Sequence, residues 1–294
     1  MMADKMATRK AYGETLVELG AENPDLVVMD ADLSKSTMTA EFGKKYPERF
    51  FNMGIAEQNL YGAAAGLALS GKVVCASTFA MFAAGRAFEI IRNSIGYTRA
   101  NVKICATHSG ITVGEDGASH QTFEDIALMR TIPGMTVINP SDGVSAGKLI
   151  RQAVAFNGPC YVRLGRAAVP VFYGEDSEIT LGKGNLIRDG RDVTVIATGI
   201  MVSEAAAAAE KLAEDGIDVR VIDMHTIKPL DEEIIIKAAE ETGAIVTAEE
   251  HSVIGGLGSA VAEVVVRNHP VKMSMVGQKD TYGESGKPDE LKKK

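Results

Sequence analysis

The sequence has no tryptophan, 5% aromatic residues and only three cysteines among 294 residues. An odd number of cysteines without a Cys-x-x-Cys pair argues against a disulfide framework and favours buried thiols in a reducing compartment. Positively charged residues are also in the minority, because 31 Lys and Arg against 39 Asp and Glu give a formal net charge of −8 at pH 7. Nucleic acids and acidic membranes are therefore not expected as main partners. With no apolar run near the ~20 residues of a membrane span and no signal-peptide pattern, we expect a cytoplasmic protein.

The residues that are present predict an α/β fold. The apolar fraction of 46% is enough for one large core or two smaller ones. Short β-branched runs alternate with stretches of helical period, as in βαβ units with mostly parallel sheets. Predicted strands are 26–29, 73–76, 102–106, 136–138, 161–163, 192–197, 219–222 and 244–248. Predicted helices are 5–19, 56–70, 80–95, 142–155, 203–214 and 231–242. A Pro- and Gly-containing acidic stretch before residue 184 reads as a linker between two α/β units.

Ligands in open α/β sheets bind beyond the carboxyl ends of strands, so the loops after strands are the candidate sites. The segment 52–59 makes a glycine turn into a helix whose first turn carries Glu57. Glu57 either serves a site or simply interacts with the positive end of the helix dipole. Phe79 and Phe82 follow another strand at a spacing of three residues, which fits a cofactor platform but is more common in a core.

The loop 107–121 is the richest in chemistry, with His108, His120 and an acidic pair that includes Asp116. Its spacing matches no standard zinc site, whereas its glycines suit close approach to a small ligand. Histidine and aspartate there are able to bind hydroxyl groups or transfer protons. Arg163 and Arg166 end a later strand and are candidates for a phosphate or carboxylate, with surface ion pairs as the alternative.

These segments, in this order, resemble the C-terminal half of transketolase over nearly the whole chain. The resemblance rests on five motifs: Asp-Ala-Asp-Leu at 30–33, Gly-Ile-Ala-Glu-Gln at 54–58, Thr-Phe…Phe at 78–82, Thr-His…Gly-Glu-Asp-Gly…His-Gln at 107–121 and Tyr-Gly-Glu-Ser-Gly at 282–286. It implies two consecutive three-layer α/β/α domains with mostly parallel sheets. These would be a pyrimidine-binding domain at 1–168, a linker at 169–184 and a transketolase C-terminal domain at 185–294.

The resemblance also implies thiamine diphosphate as cofactor. Glu57 is similar to the glutamate that hydrogen-bonds N1′ of the aminopyrimidine ring and so promotes removal of the thiazolium C2 proton. Phe79 and Phe82 match the aromatic pocket that packs on the pyrimidine. We therefore expect Glu57 to be catalytic and all three residues to bind the cofactor.

The same resemblance implies a sugar-phosphate site. His108, Asp116 and His120 would contact ketose hydroxyls, with the histidines aiding proton transfer and Asp116 contacting the C2 hydroxyl. Arg166 is similar in position to a phosphate-binding arginine. Asp30 stands where many transketolases have a serine near the sugar phosphate, and in the pocket its charge would repel phosphate.

One family feature is missing from the sequence. The Gly-Asp-Gly motif that, with a later Asn, holds Mg²⁺ and the diphosphate does not occur. We therefore predict one subunit of a split transketolase, in which a dimer of this chain and two N-terminal subunits form a heterotetramer and the partner holds Mg²⁺. It would move a two-carbon ketol unit between sugar phosphates of the pentose phosphate pathway. The alternatives are a deoxyxylulose-phosphate-synthase-like enzyme, a 2-oxo acid dehydrogenase β-type subunit, or a non-catalytic binding partner.

Overall fold

A computed structural model describes residues 4–293 of the chain. The strands are β1 Lys5–Ala7, β2 Leu26–Asp30, β3 Phe50–Asn52, β4 Val73–Phe79, β5 Val102–Thr107, β6 Thr136–Ile138, β7 Cys160–Arg163, β8 Ala168–Pro170, β9 Asn185–Arg188, β10 Val193–Ala197, β11 Val219–Asp223, β12 Thr226–Lys228, β13 Ala244–Ser252 and β14 Lys272–Gln278. The α-helices are α1 Thr8–Glu22, α2 Ser34–Thr37, α3 Ala40–Lys45, α4 Glu57–Leu69, α5 Phe88–Ile90, α6 Asp125–Thr131, α7 Gly143–Ala155, α8 Met201–Glu214, α9 Glu232–Thr242, α10 Leu257–Asn268 and α11 Pro288–Leu291.

The first domain is built on a seven-stranded sheet in the order β12-β6-β7-β5-β4-β2-β3. All neighbours in it are parallel except β12 and β6. On one face, α1 and α7 form a core with side chains such as Leu16 and Leu149. On the other, α4 and α6 contribute Leu60 and Ile126 to a second core. These three layers carry the carboxyl ends of β2, β4, β5 and β7 to one edge.

The second domain has a five-stranded sheet in the order β14-β13-β10-β11-β9, in which only β9 is antiparallel. Its two faces hold separate apolar cores, one against α9 and α10 and the other against α8. The α/β fold expected from the sequence is therefore confirmed. No helix among residues 4–293 is both long enough and apolar enough to cross a membrane.

The two domains are joined by more than a linker. Strand β12 belongs to the second half of the chain yet pairs with β6 in the first sheet. The segment after β8 packs back on the first domain, where Ile179 is buried and the Tyr173 hydroxyl donates to Asp223 of β11. Ser141 donates to the same carboxylate, so that Asp223 connects both domains.

Three local features of the structure are not predicted by the sequence analysis. The single helix expected at 80–95 is instead wound as π-helix at Phe82–Arg86 and Ile91–Gly96 around the short α5. At the start of α7 the capping residue is Asp142, which forms a reciprocal capping box with Ser145. Ser141, the residue before it, donates its hydroxyl to Asp223. The sequence also gave no prediction for α10, which begins directly after a pair of glycines at 255–256.

Candidate active site

The carboxyl edge of the first sheet brings the candidate loops together. Phe79 at the end of β4 lies in register with Thr107 at the end of β5, and Ala106 lies in register with Arg163 of β7. Because these strands are parallel and adjacent, the loops that follow them emerge side by side. The sequence-predicted residues Phe79, Phe82, His108 and His120 all meet at this edge.

Glu57 is the first residue of α4 and is only 2% exposed. A carboxylate at this position interacts favourably with the free N–H groups of the helix start. Its two oxygens also accept hydrogen bonds from Nη1 of Arg86, at 3.1 and 3.0 Å. The guanidinium of Arg86 in turn lies 4.7 Å from the centre of the Phe82 ring. Arg86 is half exposed, so the ion pair borders open space.

Phe79, Phe82, His108 and His120 form one ring cluster. Phe79 stacks on His108 with 3.9 Å between ring centres and on Phe82 at 6.0 Å. His120 meets the Phe82 ring edge-on at 5.4 Å. The cluster therefore combines flat apolar ring faces with imidazole nitrogens. The ring faces suit an aromatic ligand, and the nitrogens suit hydroxyl groups next to it.

His108 is held in an unusual conformation. Its φ of 56° is left-handed, a conformation that is costly for residues other than glycine and that often occurs at functional sites. Its Nδ1 lies 2.9 Å from the Thr107 hydroxyl, and the ring is 3% exposed. Burial, followed by the charges of Arg9, Arg166 and His120, lowers the pKa of His108 to about 3. The ring is thus neutral at physiological pH.

The charges of two arginines, Arg9 and Arg166, act on His108. The antiparallel pair β1–β8 places Ala7 opposite Ala168. Arg9 lies two residues after Ala7, and Arg166 lies two residues before Ala168, so both come from the same end of this strand pair. Burial and the charge of Arg166 both lower the pKa of Arg9. Each guanidinium donates to a backbone carbonyl, Arg9 to that of Ser36 and Arg166 to that of Val113. Guanidinium groups are the side chains best suited to phosphate and carboxylate, so both arginines are candidates for an anion site. Sequence reasoning identified Arg166 but missed Arg9, because Arg9 follows no strand of the main sheet.

Asp116 lies at the rim of this site. Its Oδ2 is 3.5 Å from Nη1 of Arg166, and Glu115 lies 3.7 Å from the same nitrogen. Arg166 also donates to the backbone carbonyl of Val113. Asp116 is more than one-third exposed, so its carboxylate remains accessible to a ligand.

Asp30 and Arg163 lie inside the protein. The Asp30 carboxylate is fully buried and accepts hydrogen bonds from the Leu33 N–H and from the hydroxyls of Thr37 and Thr39. Burial raises its pKa, while those hydrogen bonds oppose the rise. Asp30 therefore organises its own loop, and contact with substrate stays a prediction. Arg163 forms a buried ion pair with Asp125 at 2.8 Å, so it is neither an anion site nor a surface pair.

Two of the three remaining histidines and all three cysteines are buried, whereas His269 is exposed. His225 is buried between the Asn185 side chain and the Thr226 hydroxyl, and His251 is buried against the carbonyl of Ser252. All three cysteines are free and buried. Within residues 4–293, no group of three or more His, Cys, Asp or Glu side chains is arranged to hold a metal ion.

The fold and the site define a two-domain α/β protein with a buried carboxylate, an aromatic-histidine cluster and two arginines whose charges act on His108. The family model described as transketolase, pyrimidine binding domain, matches residues 4–171, and that of the transketolase C-terminal domain matches residues 182–294. The chain belongs to the transketolase family, as its motifs predicted. Membership implies dependence on thiamine diphosphate.

Several relatives are similar over nearly their whole length. A protein of Methanocaldococcus jannaschii named as a transketolase C-terminal section is 56% identical over 97% of this chain and 90% of its own length. The 6-deoxy-6-sulfo-D-fructose transketolase subunit SqwH of Clostridium sp. (strain MSTE9) is 44% identical over 97% and 89%. A solved split-gene transketolase, described as an inactive β4 tetramer, has a TM-score of 0.92 at 55% identity over 98% and 93%. Human transketolase is 38% identical over 99% of this chain but only 47% of its own length.

Proposed function

We propose that this chain is the C-terminal subunit of a two-subunit transketolase that transfers a two-carbon ketol unit from a ketose phosphate to an aldose phosphate. The observation that carries this proposal is the buried Glu57, linked through Arg86 to a Phe79–Phe82 pair that packs on the rings of His108 and His120. This reaction needs three parts. They are a carboxyl group to bind a ring nitrogen of the cofactor, flat side chains to pack on its heterocycle and an anion site for the substrate phosphate.

The site fits the aminopyrimidine half of thiamine diphosphate. A buried carboxyl whose present partner, Arg86, is half exposed offers a hydrogen-bonding group that becomes free when Arg86 swings outward. Because Glu57 is buried, its separation from Arg86 requires a new hydrogen-bond partner, which the pyrimidine nitrogen would supply. Glu57 would then hold the pyrimidine nitrogen while Phe82 and Phe79 pack on the ring. When bound, the cofactor supplies the stabilisation of negative charge on the transferred carbon.

The substrate residues act on hydroxyls and on the anionic end. Neutral His108 is able both to donate and to accept a hydrogen bond, and with His120 it would bind ketose hydroxyls and move their protons. Asp116 would bind the C2 hydroxyl from the rim. Arg9 and Arg166 would hold the phosphate by charge-assisted hydrogen bonds. A sulfonate has a similar charged group of oxygens, and one relative is named for a sulfo-sugar.

The proposal includes a separate N-terminal subunit that binds the diphosphate and Mg²⁺. Support comes from relatives that are themselves named as subunits or sections and that this chain matches over about 90% of their length. A surface feature agrees: Ile55, two residues before Glu57, is 77% exposed. An apolar side chain of this size at the border of a site suits a covered surface. We propose a homodimer of this chain as the core of a heterotetramer, working in the cytoplasm in the pentose phosphate pathway.

The test is a ketol-transfer assay with xylulose 5-phosphate, ribose 5-phosphate, thiamine diphosphate and Mg²⁺, first with this chain alone and then with the N-terminal-type subunit added. We expect activity only in the mixture, with a loss of at least about 100-fold for Glu57→Ala because the contact to the pyrimidine acts in each turnover. Glu89→Ala, an exposed glutamate of α5, is the matched control and should leave activity unchanged.

The outcomes of this assay also separate the alternatives. Activity of the chain alone would contradict the shared site. Release of CO₂ from pyruvate by the mixture, without sugar transfer, would indicate a deoxyxylulose-phosphate-synthase-like enzyme or a 2-oxo acid dehydrogenase β-type subunit. Binding of the N-terminal subunit without turnover of any donor would indicate a non-catalytic partner.

A further inference from the structure

The loop 107–121, which carries the predicted substrate residues, packs against the second domain. Gly110 opens this loop at φ 75°, and a Cβ on it would lie 2.2 Å from the carboxyl carbon of Glu250 in β13. Gly117, at its far end, has φ 72°, and a Cβ there would lie 2.4 Å from the hydroxyl oxygen of Ser285. Both glycines are therefore required by the close approach of second-domain side chains.

Glu250 makes the central contact of this seat. Its Oε1 accepts the backbone N–H of Thr112 at 2.5 Å, within the loop. Its backbone carbonyl accepts Nη2 of Arg163 at 2.8 Å, and the same nitrogen reaches the carbonyl of Thr122 at 3.3 Å. One residue of the second domain is thus bonded directly to the start of the loop and, through Arg163, to its end.

A cavity borders this contact. It has a volume of about 830 Å³, lies between the domains and is lined by Ile111, Glu250 and His251 among others. The loop backbone between residues 111 and 116 forms 3₁₀ turns with a kink at Gly114, and the hydrogen-bond geometry of such turns is poorer than that of an α-helix. Without the Glu250 contact, nothing equivalent among the described hydrogen bonds holds the Thr112 N–H.

We propose that Glu250 is a positioning residue, which reaches from the second domain and fixes the loop so that His108, Asp116 and His120 face the substrate together. Only the effect on turnover rests on the proposed function. The seating of the loop is a property of the chain itself. It gives the second domain a direct part in shaping the sugar site.

The first experiment measures hydrogen exchange of loop amides in the chain without substrate. Glu250→Ala removes the acceptor, and exchange at residues 111–116 should accelerate by about 5- to 150-fold, the range for losing a buried hydrogen-bond partner. Glu250→Gln keeps an oxygen at the same place and should restore slow exchange. Glu250→Asp keeps the charge but is one methylene too short, so it should resemble the alanine variant and serves if that variant does not fold.

The matched control is Glu249→Ala on the same strand. Glu249 is equally buried, but its oxygens accept the N–H groups of Leu257 and Gly258 at the start of α10. This variant should weaken α10 and leave loop exchange at the wild-type rate. Unchanged exchange in Glu250→Ala and Glu250→Asp, or equal acceleration in Glu249→Ala, would overturn the positioning role.

The second experiment uses the assembled two-subunit enzyme. Glu250→Ala should raise KM for the sugar phosphates about tenfold and lower kcat/KM further, while the Kd for thiamine diphosphate changes less than twofold because Glu57 and Phe79 lie on other elements. Glu250→Gln should recover most of the loss. Equal kcat/KM in all variants would refute the proposal. If the wild-type enzyme has no transfer activity, the proposed function is refuted. If Glu250→Ala nevertheless accelerates exchange of the loop amides, the role of Glu250 in holding the loop is still established.

Discussion

The ion pair between Arg163 and Asp125 should be a main determinant of stability, although Arg163 appears in the sequence as a candidate anion ligand. Both side chains are almost fully buried, and Nε of Arg163 lies 2.8 Å from Oδ2 of Asp125. Burial alone raises the pKa of Asp125, but the charges of Arg163 and His251 outweigh it and hold the pKa below its usual range. Arg163→Ala leaves the buried Asp125 carboxylate without its ion-pair partner and also removes a donor from two backbone carbonyls. Breaking a buried pair from one side costs about 3–5 kcal/mol, so we expect a loss of that size in the free energy of unfolding.

Urea unfolding of the chain measures this loss, with Arg166→Ala as the matched control. Arg166 is more than one-third exposed and its acidic partners lie at 3.5 Å or more, so its removal should cost less than about 1 kcal/mol. Arg163→Met combined with Asp125→Leu removes both charges and should recover much of the loss, because an apolar pair of similar volume avoids the cost of burying ions. Similar costs for Arg163→Ala and Arg166→Ala would refute the reasoning.

Three further predictions concern charge. Arg9→Ala and Arg166→Ala should each raise KM for phosphorylated acceptors about 10- to 100-fold. The KM for an acceptor without phosphate should change less. Equal effects on both acceptors in steady-state kinetics would contradict an anion site. His108 should show no titration between pH 5 and 8 in NMR of the ligand-free chain, because its pKa is lowered to about 3; a midpoint near 6.5 would show that the ring is solvated. Burial raises the pKa of Asp223 to about 7, so its stabilising contribution is complete below about pH 4 and is lost as pH rises through 7. Relative to Asp223→Asn, the wild type should therefore lose up to about 4 kcal/mol of unfolding free energy over that range, and a difference that stays constant with pH would refute this.

Much of the fold was predictable because β-branched runs and helical periods are local signals. Strands such as β6 and β10 were found within a residue of their bounds, as was α9. The segment after Phe79 shows the limit of this method, since its apolar period indicates a helix but does not reveal the π-helical turns around α5. Short edge strands such as β1 and β12 carry too few residues to show a period.

The candidate site was predictable where a motif lies in one stretch of sequence, as with Glu57 and the loop containing His108. Arg9 was not, because its role depends on the β1–β8 pairing that brings it to Arg166 from the other end of the domain. Arg163 and Arg166 look alike in sequence, and only burial distinguishes an internal ion pair from an accessible guanidinium. The roles of Glu57, Phe79 and Phe82 toward the cofactor stay predictions that the assays above test.

The pairing of β12 with β6 has a consequence for how the chain folds. During synthesis the first sheet emerges with an unpaired edge at β6, and the residues that cover it arrive about ninety positions later. Contacts this distant in sequence slow folding and leave an aggregation-prone edge until the second half is made. A protease cut in the linker would accordingly leave two fragments bound to each other, and the first fragment expressed alone should aggregate.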